Sequence, residues 1–316
     1  RFAEMRTSAR TFHDCGKVML EVGFNESVGR DECPNVPLTV AEIVDDVVST
    51  AAMGAAVLHY HARDADGAVA WNEVDFYLNV MNGLVSRACD AITYPTYLGS
   101  YEHIWQLHDA AQAGHGLQMA PFDVIQNVGL SPWEDDRGRF SQIDLGDALG
   151  ADKSAVPSAL SEMRRRGVRP VVAAFDVGHA RWVRLAVRAG VLAEPVNVKL
   201  FLHQGWVLGP TPSTTGLDAY LAELDGVDAE ITVVPSTMHD RDAWLDLIDA
   251  ALRRGLGIRV GLGDCPAIHY GMTNTDVVGE AIDMMDRYGL CPATPSDVVS
   301  RLDLPTRPPA PAGDVS

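Results

Sequence analysis

The sequence contains no apolar run near the ~20 residues that cross a bilayer. Its first residues (RFAEMRTSARTFHDCGK) lack the apolar centre of a secretory leader. No membrane partner is therefore expected. Basic residues are scarce: 25 Lys and Arg stand against 43 Asp and Glu, a formal charge of -18. Nucleic acids and anionic membranes require a dense basic face, so this balance argues against both. It leaves open a small anionic substrate held by one or two buried arginines. The five cysteines (Cys15, Cys33, Cys89, Cys265, Cys291) are scattered, odd in number and without a CxxC. A disulfide framework is not expected, and a reducing cytoplasm is the expected location. A Gly-x-Ser-x-Gly elbow and a paired Cys–His signal are also missing, which leaves acyl-enzyme hydrolysis without support.

What is present is ordinary globular composition. Over 316 residues, 47% are hydrophobic and 22% charged. A chain of this length buries roughly three quarters of its unfolded surface and needs no disulfide or metal merely to fold. Short β-branched runs alternate with segments of helical periodicity. Strands are predicted over 18–25, 56–62, 91–94, 117–122, 170–175, 196–202, 230–234 and 258–261. Helices are predicted over 39–53, 74–86, 101–113, 154–166, 179–189, 217–224, 241–254 and 275–288. Thr39 with Glu42 has capping-box spacing, and Gly167 and Gly255 follow basic residues as helix C-terminal signals. Strand–helix alternation means a parallel sheet. Eight such units fit an α/β fold, a closed (β/α)8 TIM barrel, as one domain with a core over 17–303. The surplus lies in an N-terminal segment (1–16), a long polar loop after the fourth strand (129–153) and a proline-rich tail (304–316). The loop lies on the side where barrel active sites form, so it is either a lid or a surface decoration.

The sharpest local feature is His59-Tyr60-His61-Ala62-Arg63-Asp64-Ala65-Asp66-Gly67, at the C-terminal end of the second strand. Side chains alternate along a strand, so His59 and His61 share a face, about 7 Å apart. At a barrel mouth they can converge on one divalent ion, zinc being well suited to imidazole. The bland alternative is two packed core histidines. A second cluster, Arg259-Val260-Gly261-Leu262-Gly263-Asp264-Cys265, reads as the last strand and a glycine-rich turn. Arg259 can bind a carboxylate in bidentate fashion or orient Asp264, and Asp264 can act as base or metal ligand. A structural Arg–Asp pair is the alternative. Glu21 stands inside an apolar strand, where a carboxylate is costly unless paired or metal-bound. Asn25 shares its face, and Glu26 starts the loop beyond. The third unit brings a hydroxyl-rich loop, 93–100, to the same mouth, and the fourth brings Asp123 and Asn127. The other histidines share no spacing and read as surface or packing residues, with His203 just past the sixth strand as the exception.

On these residues the sequence resembles the β-keto acid cleavage enzyme family, which includes the 3-keto-5-aminohexanoate cleavage enzyme of lysine fermentation. The likeness spans nearly the whole barrel: Pro34-Asn35-Val36-Pro37-Leu38-Thr39, the His59–Gly67 string, Arg259–Asp264 and Ala293-Thr294-Pro295. It implies a zinc-holding (β/α)8 barrel that converts a β-keto acid and acetyl-CoA into acetoacetate and a new acyl-CoA by a retro-Claisen step. It implies His59 and His61 as metal ligands, Arg259 and Asp264 as orienting group and base, and Thr96 as a substrate-holding hydroxyl. Of the family's acidic residue after the first strand, ungapped alignment gives Ser27, one past Glu26. Glu26 is the residue carried over, with Asn25 beside it in the substrate-binding set. The resemblance also implies a homo-oligomer, a tetramer.

Three departures stand out. The family's glutamate ligand before the aspartate is Gly263 here. The glutamates of its fifth strand are absent from Pro170–Phe175, and its asparagine after the aspartate is Cys265. The third metal ligand then falls to Asp264, Glu21 or Glu26. The expected function is metal-dependent β-keto acid cleavage with acetyl-CoA. Its rivals are a CoA-independent metal-dependent aldolase or hydrolase of a small oxo acid, and a metal-poor barrel that only binds a ligand.

Overall fold

The computed structural model describes residues 11–96, 101–111, 116–124, 130–131, 144–145, 156–206 and 208–306. Eight parallel strands form a nearly closed barrel: β1 (Leu20–Gly23), β2 (Val57–His59), β3 (Ile92–Tyr94), β4 (Met119–Asp123), β5 (Arg169–Ala174), β6 (Val196–His203), β7 (Ala229–Ser236) and β8 (Gly257–Val260). The hydrogen-bonded order is β3-β2-β1-β8-β7-β6-β5-β4, and β3 packs beside β4 at the seam. This is the predicted barrel. Its strands are shorter than the apolar runs suggested on the second unit, where the ladder stops at His59 and His61 continues beyond it.

The helices α1 (Val40–Ala52), α2 (Val74–Ser86), α3 (Glu102–Ala111), α4 (Val156–Arg166), α5 (Val177–Arg188), α6 (Thr214–Glu223), α7 (Arg241–Arg253) and α8 (Asn274–Asp286) follow the strands in turn. Local chemistry sets their ends. Thr39 and Glu42 form the predicted capping box on α1. Asp176 caps α5 and Ser213 caps α6, so both helices begin a few residues before their periodic stretch. Gly167 and Gly255 adopt positive φ after α4 and α7, as C-terminal glycines do. On α1 the apolar stripe Ile43, Val44 and Val47 is buried; on α7 it is Trp244, Leu247, Ile248 and Ala251.

A ninth helix, α9 (Pro295–Leu302), was not foreseen. Its signals are present: Thr294 and Asp297 make a capping box, and Pro295 stands in the first turn, where its missing N–H costs nothing. It packs beneath the barrel. Val298 and Leu302 join Met19, Val57, Met119 and Val171 in an apolar layer that fills the lower end. Leu304, placed in the tail by the sequence, belongs to this layer too, and Gln118 Nε2 donates to Pro305 O at 2.6 Å. Arg301 grips Glu230 and Asp228 at the foot of β7. Beside it, Lys17–Val18 pairs with Cys291–Pro292 in a short parallel ribbon. Of the loop 129–153, an antiparallel pair is described, Leu130–Ser131 with Asp144–Leu145. The rest of that loop, Asn127, residues 97–100 and the tail from 307 lie outside the described residues. All five cysteines are free.

Candidate active site

Above the apolar layer the barrel interior turns ionic. Glu21 on β1 and Lys199 on β6 are both buried and form an ion pair. Tyr94 Oη donates to the same Glu21 oxygen at 2.6 Å, and Arg259 Nη1 lies 3.5 Å from it. The Lys199 ammonium also sits 4.2 Å from the Tyr94 ring centroid. Burial lowers Lys199 to about 8, while Glu21 works in the opposite direction. The carboxylate that the sequence marked as needing a partner thus finds cations and a phenol. Lys199, in the run Val-Asn-Val-Lys-Leu-Phe-Leu, carried the same signal as Glu21, a charge inside an apolar strand, and was missed.

The predicted Arg259–Asp264 pair is present and bidentate. Nε donates to Oδ2 at 2.8 Å and Nη2 to Oδ1 at 3.1 Å. Gly23 makes room for it, because a Cβ there would lie 2.7 Å from Arg259 Nε and closer still to Asp264. Burial pushes the Asp264 carboxyl up to about 7, Arg259 opposing and the nearby Glu26 and Glu21 adding to the rise. Asp264 can therefore exchange a proton near neutral pH.

His59, His61 and Glu26 converge as the third group. Glu26 Oε2 is 2.8 Å from His61 Nε2, and its Oε1 is 3.7 Å from His59 Nε2. One donor atom from each of the three lies within 4.8 Å of the others, a spacing that suits a divalent ion. The rings stand nearly perpendicular, centroids 5.2 Å apart. His59 Nδ1 is 3.3 Å from Tyr94 O, and a proton there leaves Nε2 free as a ligand. Burial drives His59 well below the ordinary histidine range, keeping it neutral. Burial alone would raise the Glu26 carboxyl, but Arg259, His61 and His59 hold it well below the usual carboxylate range. Glu26 also accepts from Arg259 Nη2. The donor set, two imidazoles and one carboxylate, fits zinc.

The rest of the motif holds this group in place. Arg63 Nη2 donates to the carbonyls of Asn25 (2.8 Å), Glu26 (2.6 Å) and Val28 (3.1 Å), fixing the loop that carries Glu26 at φ 34°. Asp64 Oδ1 accepts from the amides of Asp66 and Ala68, closing the turn after Arg63. Of the three candidates for the third ligand, Glu26 is the one beside the histidines. Glu21 is engaged with Lys199, and Asp264 with Arg259. Asn25 is fully buried and joins backbone to backbone: it accepts from His61 N at 2.8 Å and donates to Pro37 O and His61 O at 3.1 Å. It braces the site rather than facing the cavity.

Glu26, His59, His61, Lys199, Arg259 and Asp264 line a cavity of about 610 Å³ at the C-terminal ends of the strands. Thr96 lines it, and so does His203. Asp123 stands on the β4 side. An aromatic wall lines the same cavity, with Phe175 stacked on Phe201 at 4.4 Å and His203 on Trp206 at 4.2 Å, and the Arg259 guanidinium lies 5.9 Å from the Phe201 ring centroid.

Fold and site together place the protein among the (β/α)8-barrel enzymes, whose chemistry gathers at the carboxyl ends of the strands. Residues 17–304 match the family described as beta-keto acid cleavage enzyme. The chain belongs to that family and is an enzyme of this carbon–carbon bond-cleaving type. The 3-dehydrocarnitine:acetyl-CoA trimethylamine transferase of Rhizobium meliloti is 25% identical over 294 residues, covering 86% of this chain and 91% of the relative. A 3-keto-5-aminohexanoate cleavage enzyme of Acetoanaerobium sticklandii is 25% identical over 282 residues, covering 85% and 92%. Among solved structures, apo ObcA matches with a TM-score of 0.65 at 17% identity, over 86% of this chain and 66% of that one. The chain thus spans about two thirds of ObcA, and the likeness is one of fold. Among the described residues no helix is long and apolar enough to cross a membrane.

Proposed function

We propose that the enzyme converts a β-keto acid and acetyl-CoA into acetoacetate and a new acyl-CoA. The bonds balance: the substrate's CH2–carboxylate unit joins the acetyl group, and CoA passes to the remaining acyl group. The observation that carries this reading is the opening of the Glu26–His59–His61 cluster and the Arg259–Asp264 pair into one cavity. The names of the relatives, two of which act on β-keto compounds, support it.

In this reading Asp264 removes a proton from the carbon between the keto and carboxylate groups, and Arg259 holds it in the geometry to do so. The Thr96 hydroxyl binds the substrate at the mouth. His59, His61 and Glu26 are the residues that would hold a divalent cation, zinc by their donor set. When bound, that ion polarises the β-keto oxygen as a Lewis acid. A reducing cytoplasm and a homo-oligomeric, tetrameric assembly belong to the same reading, and light scattering checks the assembly.

The test is acetoacetate release from a panel of β-keto acids with and without acetyl-CoA, together with elemental analysis. Acetoacetate that depends on acetyl-CoA, with near-stoichiometric zinc lost in the double substitution His59→Ala/His61→Ala, is the expected result. Turnover without acetyl-CoA would reassign the enzyme to aldol or hydrolytic chemistry. Zinc retained by the double variant would overturn the ligand assignment.

A further inference from the structure

We propose that Lys199 is a catalytic amine, which condenses with the keto carbon of a β-keto acid and drives loss of its carboxylate as CO2, leaving a methyl ketone. This second activity rests on the β-keto acid reading, since it needs the same substrate class in the same cavity. It uses neither acetyl-CoA nor the Glu26–His59–His61 cluster.

The placement of this lysine carries the argument. Of the 25 basic residues in the chain, three are lysines: Lys17, Lys153 and Lys199. Where charge alone is wanted, arginine does the pairing, as in Arg181–Glu223 and Arg254–Asp218. A guanidinium stays protonated and cannot attack a carbonyl, whereas a buried ammonium can give up its proton. Lys199 stands on β6, in register with Ala173 on β5 and Thr232 on β7, and lines the cavity together with Tyr94, Arg259 and Asp264. It thus touches a fully buried carboxylate, Glu21, and the substrate cavity at once.

The groups around it suit amine chemistry. Glu21 faces it from β1, the Tyr94 ring from β3, and Arg259 stands by the same Glu21 oxygen from β8. Burial, aided by Arg259 and opposed by Glu21, lowers the ammonium to about 8, so a share of the amine is unprotonated near neutral pH. Glu21 is placed to take the departing proton, and Tyr94 Oη, donating to it at 2.6 Å, holds the carboxylate in position. The bonds balance. The Lys199 nitrogen bonds to the keto carbon, and the keto oxygen leaves as water with two of the ammonium's protons, one of them carried by Glu21. The bond from the adjoining carbon to the carboxylate then breaks, its electron pair passes to the iminium nitrogen, and CO2 departs. The resulting enamine takes a proton from solvent at carbon, and one water releases the methyl ketone and restores the Lys199 ammonium. Overall, a β-keto acid anion and a proton give a methyl ketone and CO2.

The experiment incubates the purified enzyme with acetoacetate and cyanoborohydride, without acetyl-CoA, and maps the modified lysine by mass spectrometry. An N-isopropyl group on Lys199 is expected, the reduced form of the iminium left after CO2 has gone, with Lys17 and Lys153 as internal controls. Without the reductant, acetone is expected to form faster than from acetoacetate in buffer. Lys199→Arg keeps a cation opposite Glu21 but has no amine, and is expected to lose the label and return acetone formation to the uncatalysed rate. Should that variant fail to fold, Glu21→Gln/Lys199→Met removes both charges and is expected to show the same losses. Label absent from Lys199 or spread evenly over the three lysines overturns the proposal, as does acetone formation that persists in either folded variant. The acetyl-CoA reaction is read separately, by its acetoacetate. If that reaction fails while Lys199 is labelled, the amine chemistry stands alone; an unlabelled Lys199 in an enzyme that makes acetoacetate removes the amine chemistry and leaves the cleavage reading intact.

Discussion

Glu26 Cγ lies 2.8 Å from the point where a side chain on Gly263 would begin, so the two positions compete for one volume. Gly263 stands where the family resemblance placed a glutamate ligand, and Glu26 brings a carboxylate into that region from the other side of the barrel closure. Glu26→Gln keeps the size and removes the charge. Its zinc affinity, read by chelator competition, is expected to fall by at least about tenfold to hundredfold. Unchanged affinity would remove Glu26 from the ligand set.

Gly23 is a second glycine whose missing Cβ matters, this time to Arg259 and Asp264. Its backbone is not in a left-handed region, so Gly23→Ala acts by crowding alone. The bidentate pair must then shift. We expect about a hundredfold loss of kcat, because small displacements of a positioned base are costly. Overpacking should cost about 1–3 kcal/mol in urea denaturation. Wild-type turnover in this variant would show that the pair tolerates displacement.

The Glu21–Lys199 pair should behave as a buried ion pair. Lys199→Met leaves Glu21 charged and partly abandoned in the interior, at a cost of about 3–5 kcal/mol. The double variant Glu21→Gln/Lys199→Met removes both charges and should recover most of that loss. Equal instability of the single and double variants would argue that Lys199 matters for packing rather than for charge.

Asp264 sets the expected pH dependence. Its carboxyl is pushed up to about 7 by burial, and a base must be ionised. Activity in kcat/KM should therefore rise with pH through about 7 and then level. Replacing Arg259 by Met removes the cation that opposes the rise and should move the limb to higher pH. The stability effect has the opposite sign. An aspartate in the unfolded chain titrates near ~3.9, so between about 4 and 7 the native state holds the extra proton. Metal-free protein should lose this contribution as pH rises through that window. Asp264→Asn should flatten the slope. A slope that persists in the variant would point to another group.

Much of this was legible in the chain. The alternation of apolar runs and helical stretches was enough for the barrel, and strand geometry put His59 and His61 on one face. Arg259 and Asp264 were readable because they share one turn. What escaped depends on distance along the chain. Lys199 meets Glu21 across 178 positions, and no local pattern records which charge will stand opposite another. Asn25 looked like a substrate contact because it shares a strand face with Glu21. Its amide is instead used up on the backbones of neighbouring loops. The helix α9 was overlooked because an eight-residue segment shows barely two turns of periodicity. Arg63 was seen as part of a motif, but its reach to three carbonyls of another loop needed coordinates.

The stopper formed by α9 has a further consequence. It separates the greasy floor of the barrel from bulk water, and the ionic layer rests on that floor. A chain cut before Pro295 would let solvent rise from below, weakening the attraction between Lys199 and Glu21 by raising the local dielectric. Such a truncation should spoil catalysis well before it unravels the barrel, so a helix packed at the end opposite the cavity acts as its waterproofing.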